Sequence, residues 1–329
     1  MTRRARHART SPGGWPLDDA EKERLRRRRR EVRVFVAGSI NVDIMLYLDE
    51  WPAQDTAATV SGARIAMGGH AGNCAEAFAG LETPCYVSGA VGTDDYGRMA
   101  VSHLENRGVK TDFIARMEGE NTGTVYIPVC GKEHRLLLHR GANNGHRGAV
   151  LDQAASVNAD ALIVFDPSRH VIDRFIADIR SAQAHRPMTV WSPASVNMDR
   201  ETLNALLPHI DWLIVNSGEH DMINNILGRQ SESIRGLNLA VTKGEAGSAA
   251  RYEGDWFEAP AFSAPVVDCV GAGDAFMAGF VLGLQAGLSV ETALVVGNRS
   301  GAFAVQTEGA RTRLKNIDEF LNMDAVFLR

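Results

Sequence analysis

Five short apolar segments recur along the chain and limit the folds open to it. They lie at residues 34–37, 161–165, 188–191, 212–215 and 239–242. Segments with helical periodicity, such as residues 171–182, separate them. Short apolar runs that alternate with helices favour a mostly parallel sheet covered by helices on both faces. The chain is therefore predicted to have an α/β fold, and such sheets bind ligands at the carboxyl ends of their strands.

Two further segments, residues 57–65 and 122–139, have a different pattern. Apolar and polar residues alternate within them, most clearly at residues 124–129 and 135–139. A period of two is typical of strands that have one solvated face. These segments predict a small sheet outside the main one.

Residues 268–274 read Asp-Cys-Val-Gly-Ala-Gly-Asp and lead directly into an apolar helical stretch. The small side chains of Gly271, Ala272 and Gly273 allow the backbone to turn tightly and to approach a ligand closely. The helix start that follows supplies unpaired N–H groups and positive partial charge, which bind phosphate oxygens. Asp274 can accept a proton there from a substrate hydroxyl. The segment predicts phosphoryl transfer, although a tight turn with an Asp cap has the same pattern.

Four more motifs border predicted strands or helices. They are Gly-Ser-Ile-Asn-Val-Asp at residues 38–43, Met-Gly-Gly-His-Ala-Gly-Asn at 67–73, Asn-Ser-Gly-Glu at 216–219 and Thr-Lys-Gly at 242–244. In their order and separation, these motifs and residues 268–274 resemble those of the ribokinase (PfkB) family of carbohydrate and nucleoside kinases. The resemblance covers residues 34–321. It implies a three-layer sandwich with a mostly parallel central sheet and a small β lid.

The resemblance also implies site residues. Asp274 would be the general base. The backbone from Gly271 to Asp274 would neutralise charge, with Ala272, Gly273 and Asp274 forming the anion hole. The residues that hold sugar hydroxyls would be Asn41, Asp43, Gly68, Gly69 and Asn73. Those on the ATP side would be Asn216, Glu219, Thr242, Gly244 and Asn298, with Glu219 reaching Mg²⁺ through water. Asp268 would border the monovalent-cation site, for K⁺, that many relatives use.

Several of these residues also have ordinary structural explanations. Asp43 could be a turn residue after a strand, and Asn73 could simply cap its helix. Glu219 could be an ordinary Glu in the first turn of a helix, where the helix dipole favours it. Thr242 is a typical strand residue, and Asn298 lies in an apolar stretch where a buried amide is equally expected. The sequence leaves these alternatives open.

The chain departs from the family pattern at three places. Cys269 stands where Thr is common, and His70 stands where ribose-specific relatives usually have Lys. Residues 191–195 lack the Arg that several ketose and keto-acid kinases place there. These departures argue against ketose and keto-acid acceptors and weaken an assignment to ribose itself. His70 lies either near the substrate or simply on the surface.

Residues 1–33 contain 12 Lys or Arg against 5 Asp or Glu. Blocks of like charge rarely fold, so we interpret this segment as a basic, disordered tail and residues 34–329 as the kinase domain. The run of Arg residues at 26–30 also suggests the hypothesis of nucleic-acid binding. We disfavour it because no aromatic residues interleave with the charges.

The remaining sequence features narrow the class of protein. The chain has no Gly-x-x-x-x-Gly-Lys-[Ser/Thr] segment and no Gly-x-Gly-x-x-Gly segment, which argues against P-loop kinases and dinucleotide oxidoreductases. Its four cysteines lack the paired spacing of zinc or redox motifs, which favours a reduced cytoplasm. No apolar stretch is long enough to span a membrane.

We therefore predict an ATP-dependent carbohydrate kinase that uses Mg²⁺ to phosphorylate a hydroxymethyl group of a ribose-like sugar or another furanose. A nucleoside acceptor is the first alternative. A phosphorylated sugar is less supported, because few basic residues beyond His70 and Arg140 are evident. A non-catalytic sugar sensor on a kinase fold is the second alternative. In relatives the lid closes over the sugar and often supplies a dimer surface, so a homodimer through the lid is expected.

Overall fold

The computed structural model describes residues 17–131, 133–181, 186–195, 198–306 and 317–322. Its strands are β1 (Val34–Ala37), β2 (Asn41–Leu48), β3 (Val60–Gly68), β4 (Cys85–Gly92), β5 (Lys110–Met117), β6 (Gly123–Cys130), β7 (Glu133–His134), β8 (Leu137–His139), β9 (Ala161–Val164), β10 (Met188–Trp191), β11 (Trp212–Asn216), β12 (Asn238–Thr242), β13 (Ser248–Tyr252) and β14 (Asp255–Ala259). Its α-helices are α1 (Asp19–Arg28), α2 (His70–Gly80), α3 (Asp95–Asn106), α4 (Val150–Ser156), α5 (Arg169–Ser181), α6 (Arg200–Leu206), α7 (Ser217–Leu227), α8 (Ala272–Gln285), α9 (Val290–Ala304) and α10 (Ile317–Leu321). Short 3₁₀ helices lie at Gly141–Gly145, Ser231–Ser233 and Gly244–Ala246.

The main sheet has the strand order β14-β13-β12-β11-β10-β9-β1-β4-β5. Its strands from β5 to β12 are parallel, and β13 and β14 extend it as an antiparallel edge. The predicted α/β fold with a mostly parallel central sheet is confirmed. The five predicted strands correspond to β1, β9, β10, β11 and β12, each within one residue of its predicted ends.

Helices cover both faces of this sheet because its strands are apolar on both sides. In β1, Val34 and Val36 pack into a core that includes residues of α2, α8 and α9. The intervening Phe35 and Ala37 point the other way, into a core that includes residues of α4 to α7. The period-two alternation of side chains along one strand thus joins two helical layers to a single sheet.

A second sheet lies beside the first and has the order β3-β2-β6-β7, with β8 paired to β6. It contains most of the two segments whose alternation predicted a small sheet. β2 is an addition to that prediction: it pairs antiparallel with β3 and in parallel with β6. Several large apolar side chains of this sheet are exposed, including Ile65, Tyr126, Leu137 and Leu138.

The prediction of a disordered tail is wrong for residues 17–33. Leu25 of α1 is fully buried in the main core, and Asp18 and Glu21 form a reciprocal cap at the helix start. Arg24 and Arg28 donate hydrogen bonds to backbone carbonyls at the C-terminal end of α8. Basic groups are favourable at a helix C-terminus, so these charges find partners once the helix is docked. Residues 1–16 lie outside the described residues.

Among the helices in the described ranges, none combines the length and the apolar character needed to cross a membrane.

Candidate active site

Two neighbouring helices, α2 and α8, begin at the candidate site and pack against each other. The loop that follows β1 lies beneath the start of α2, while β11 and β12 end at adjacent positions of the sheet, where Asn216 pairs with Thr242. Residues from distant parts of the sequence therefore meet at the carboxyl edge of the parallel strands. This edge is where open α/β sheets bind their ligands.

The start of α8 carries hydrogen-bond donors that have no acceptor among the described residues. Gly271 has a φ of 77° and forms the N-cap, with no side chain capping the helix. The amide of Ala272 donates to the carbonyl of Cys269 at 3.3 Å. In the described part of the chain, the amides of Gly273 and Asp274 have no acceptor. Two of the three backbone donors expected in the anion hole are thus open, and the third is engaged within the loop.

Asp274 sits in the first turn of α8, and its side chain is only 8% exposed. Nδ1 of His70 lies 3.0 Å from Oδ1 of Asp274. The amide nitrogen of Asn73 donates to Oδ2 at 2.9 Å. His70 and Asn73 are three residues apart and therefore lie on one face of α2. Together they hold both oxygens of the carboxylate.

The start of α2 differs from that of α8 because the protein occupies its donors. Gly69 has a φ of 86°, and a Cβ there would lie 2.5 Å from the carbonyl oxygen of Ser39. The amide of His70 donates to Oγ of Ser39 at 3.2 Å, and that of Ala71 donates to the Ser39 carbonyl at 3.1 Å. The contribution of α2 to the site is therefore its side chains.

The predicted sugar-binding residues lie close to this pair of helices. Gly68 is required beside Asp43, because a side chain at Gly68 would overlap the Asp43 carboxylate. Burial raises the pKa of Asp43 to about 6; Asp274 and Asp268 act in the same direction, and His70 opposes them. A buried carboxylate of this kind is well suited to accept hydrogen bonds from hydroxyl groups.

Asn143 is a site neighbour that no sequence motif indicated. Its amide nitrogen donates to Oδ1 of Asn41 at 2.8 Å, and its Oδ1 accepts the backbone N–H of Ile40 at 3.1 Å. It lies in the 3₁₀ helix that follows the small sheet and is 3% exposed. Asn143 thereby fixes Asn41 and joins the chain after the small sheet to the first glycine-containing loop. An isolated Asn in a loop has no pattern that would have identified this role.

His70 contacts the candidate base Asp274, while its side chain stays 44% exposed. Its ring stacks on Phe165 with centroids 5.7 Å apart and an interplanar angle of 18°. Burial lowers the pKa of His70, but the carboxylates of Asp274, Asp166 and Glu219 outweigh that effect and raise it to about 10. His70 is therefore an imidazolium at neutral pH. In the sequence, the only sign that His70 lies near the site was its place in the glycine-rich motif at residues 67–73.

The predicted nucleotide-side residues divide into two groups. Asn216 is exposed at the end of β11, and Glu219 is half-buried in the first turn of α7. The two residues cap α7 reciprocally, each side chain accepting the other's backbone N–H. Gly244, with a φ of 58°, follows Thr242 at the end of neighbouring β12. Asn298 differs, because its amide donates to the carbonyls of Ala259 and Pro260 at 3.0 and 2.9 Å in the protein interior. That contact matches the buried, satisfied amide considered as its alternative.

The side chains at this edge fit a magnesium nucleotide. Glu219 offers carboxylate oxygen and Asn216 amide oxygen, the hard ligands that Mg²⁺ and its water shell prefer. The open amides of Gly273 and Asp274 suit phosphate oxygens. Asp268 accepts the backbone N–H of Val270 at 3.0 Å, which closes the turn leading to those amides.

Comparison with a solved structure places this fold in a class. A crystal structure of the Methanocaldococcus jannaschii nucleoside kinase, an archaeal member of the ribokinase family, superimposes with a TM-score of 0.77 at 21% identity. The match covers 88% of this chain and 96% of that one. The chain thus has the ribokinase fold.

The family follows from the sequence matches. The model for pfkB family carbohydrate kinases matches residues 32–317. The chain is 31% identical to an ATP-dependent ribose-1-phosphate kinase of Halopiger xanaduensis, over 85% of this chain and 94% of that protein. It is 26% identical to the ribokinase of Bacillus subtilis, over 84% and 94% of the two chains. The chain belongs to the pfkB family of carbohydrate kinases and is an ATP-dependent phosphotransferase.

Proposed function

We propose that this kinase phosphorylates the hydroxymethyl group of a ribose-like furanose, with Asp274 as the general base. One observation carries the proposal: a carboxylate held through both oxygens lies beside two open backbone amides at the start of α8. A base and an anion site in direct succession are what in-line transfer of a phosphoryl group to a hydroxyl requires.

The reaction assigns one task to each group. Asp274 receives the proton of the acceptor hydroxyl as its oxygen attacks the γ-phosphorus of ATP, and the bond to the β-phosphate oxygen breaks to release ADP. The amides of Gly273 and Asp274 stabilise the charge on the phosphoryl oxygens. Mg²⁺, held through water by Glu219 with Asn216 nearby, would neutralise phosphate charge. Because the transition state is loose, a weak base is sufficient for this step.

The acceptor side is polar and mixed in charge. Asp43 and Asn41 offer acceptors and a donor for sugar hydroxyls. Gly68 and Gly69 make room for the Asp43 carboxylate and the Ser39 backbone beside them. Discrimination between sugars then depends on whether these buried groups are left without partners.

Ribose 1-phosphate is a second candidate acceptor. The relative at 31% identity is an ATP-dependent ribose-1-phosphate kinase. The imidazolium of His70 would attract a sugar that carries a phosphate, which the sequence alone gave little reason to expect. A nucleoside remains the alternative without a charged group.

We also propose a homodimer formed through the small sheet. Leu136, Leu137 and Leu138 are 55–60% exposed, and Ile65 is 45% exposed. Neighbouring apolar side chains in one sheet are typical of a surface covered by another protein chain. A second copy is the proposed partner, and a molecular mass measured in solution, with Leu137→Glu as the disrupting variant, tests it.

The function is tested by ADP release with MgATP against ribose, other pentoses and hexoses, ribose 1-phosphate and nucleosides, with and without K⁺. We expect turnover of ribose or ribose 1-phosphate that disappears in Asp274→Asn. Turnover confined to nucleosides would reassign the acceptor. Binding of sugars without any consumption of ATP would favour the non-catalytic alternative.

A further inference from the structure

His70 occupies a position where a cation is unfavourable by itself. It is the first residue of α2, and the partial positive charge at a helix N-terminus repels an imidazolium. The structure compensates with carboxylates from other elements. They are Asp43 of β2, Asp166 after β9, Glu219 of α7 and Asp274 of α8. Of these, Asp274 forms the direct contact.

Three contacts fix the ring of His70. Its backbone N–H is bonded to Oγ of Ser39, its face stacks on Phe165, and its Nδ1 meets Oδ1 of Asp274. A side chain restrained at its backbone, face and edge presents its N–H in one direction. It can therefore fix the orientation of the group to which it donates.

The Asp274 carboxylate is held by two donors that differ in kind. Asn73 holds Oδ2 with a neutral amide, and His70 holds Oδ1 with a ring that carries charge. With His70 removed, Asn73 is the side-chain donor that remains among the described residues, and Oδ1 loses the contact that restrains rotation about the terminal torsion. Misplacing a reacting group by about 1 Å costs on the order of 100-fold in rate.

We propose that His70 is a positioning residue for phosphoryl transfer, whose ring N–H holds Asp274 in the orientation that receives the acceptor proton. This inference rests on the proposed role of Asp274 as general base. It assigns a role to His70, the residue of the motif at 67–73 that differs from the Lys usual in ribose-specific relatives. His70 acts through Asp274 and does not itself receive the proton.

Two substitutions separate the ring from its hydrogen bond. His70→Phe keeps a ring next to Phe165 and removes the donor, whereas His70→Asn places an amide N–H near the former position of Nδ1. His103→Phe is the matched control. It removes another histidine contact to α2, the 2.8 Å bond from His103 to Glu76, and Glu76 keeps Arg107 as a neighbour.

We expect kcat to fall about 100-fold in His70→Phe, with the acceptor KM changed less than threefold. His70→Asn should recover at least a tenth of the wild-type kcat. The control should keep kcat within twofold. A His70→Phe enzyme with wild-type kcat, or an equal loss in the control, would overturn the positioning role.

A measurement without turnover examines the contact itself. In the protein with labelled histidines, NMR titration should show His70 protonated through pH 8 in the wild type. In Asp274→Asn it should titrate near the ordinary value of about 6.5 or below. Identical titrations would refute the contact. A wild type that turns over no acceptor defeats the proposed function, whereas an active His70→Phe beside an inactive Asp274→Asn defeats only the present inference.

Discussion

The N-termini of α2 and α8 lie side by side, and each follows a glycine with a positive φ, yet they offer different chemistry. The first amides of α2 are bonded to Ser39, so α2 presents the side chains of His70 and Asn73. At α8 the amides of Gly273 and Asp274 have no acceptor within the described ranges. In the proposed mechanism, one helix start therefore orients the base, and the other supplies the anion site together with the base.

This difference shows that a glycine-rich helix start is not by itself a phosphate site. The two motifs look alike in sequence, with glycines before an alanine-containing helix. What separates them is a loop that comes from β1 and fills only the start of α2. The donors of a helix start are available to a ligand only where the remainder of the fold leaves them open.

The largest effect is expected from Asp274→Asn, which removes the base and leaves the open amides in place. We predict a loss of kcat of about 1,000-fold, within the range that a general base contributes. Steady-state ADP release measures it, and thermal unfolding shows whether the fold persists. Retention of more than a tenth of the activity would contradict the assignment.

The next effect concerns stability and contrasts the glycines of the two helix starts. Gly69→Ala should destabilise the protein by about 3 kcal/mol, because its Cβ would meet the backbone of Ser39 and Asn41 at a positive φ. Gly273→Ala is the matched control, since no described atom lies within 4 Å of its Cβ. Its change in unfolding free energy should stay below about 1 kcal/mol. Urea denaturation measures the unfolding free energy of both variants. Equal losses of stability would contradict the proposed difference between the two helix starts.

A smaller effect is expected at Asp43, where function and stability oppose each other. Burial raises its pKa from 3.8 to about 6, so the folded state binds its proton more tightly than the unfolded chain does. The resulting penalty is complete above pH 6 and disappears below pH 4. Asp43→Asn should therefore stabilise the protein by up to about 3 kcal/mol at pH 7.5, and by less at pH 5.

The same substitution should raise the acceptor KM, because an amide replaces a carboxylate that accepts sugar hydroxyls. In the wild type, the acceptor KM should also rise as the pH falls through about 6 and Asp43 becomes protonated. Thermal unfolding and initial rates at several pH values measure both effects. A destabilised Asp43→Asn protein at pH 7.5 would contradict the role of burial.

The smallest effect is predicted for Ser39→Ala. This change removes the Oγ that accepts the His70 amide at 3.2 Å but leaves the Ser39 carbonyl as an acceptor for Ala71. Losing one such bond at a helix start costs about 1 kcal/mol. Denaturant unfolding measures it. A loss of several kcal/mol would mean that the hydroxyl does more than satisfy one donor.

Much of the central sheet was predictable, because buried parallel strands are continuous apolar runs. The strands towards the edges of the sheet were harder to predict from the sequence. β4 contains small residues and glycines between its apolar ones, and β13 is short and carries Arg251 and Tyr252. The docking of α1 was missed because its Arg residues dominate the composition, whereas Leu25 alone marks the buried face.

The candidate site divides in the same way. Asp274 and its glycine-rich loop were identified from the sequence, since a helix start with small residues is a local feature. Asn298 was assigned to the ATP side, and the structure places its amide on two interior carbonyls. Whether a polar side chain faces a ligand or the protein depends on residues far away in the chain.

The sequence by itself determined the order of layers, the motifs of the family and the position of the carboxylate, because periodicity and helix-start chemistry act over a few residues. Only the tertiary structure decided that His70 and Asn73 meet Asp274, across 204 and 201 positions of the chain. It also decided which helix start stays open. Hydrogen bonds between distant segments form only when the whole sheet brings its strand ends together, and no local pattern records them.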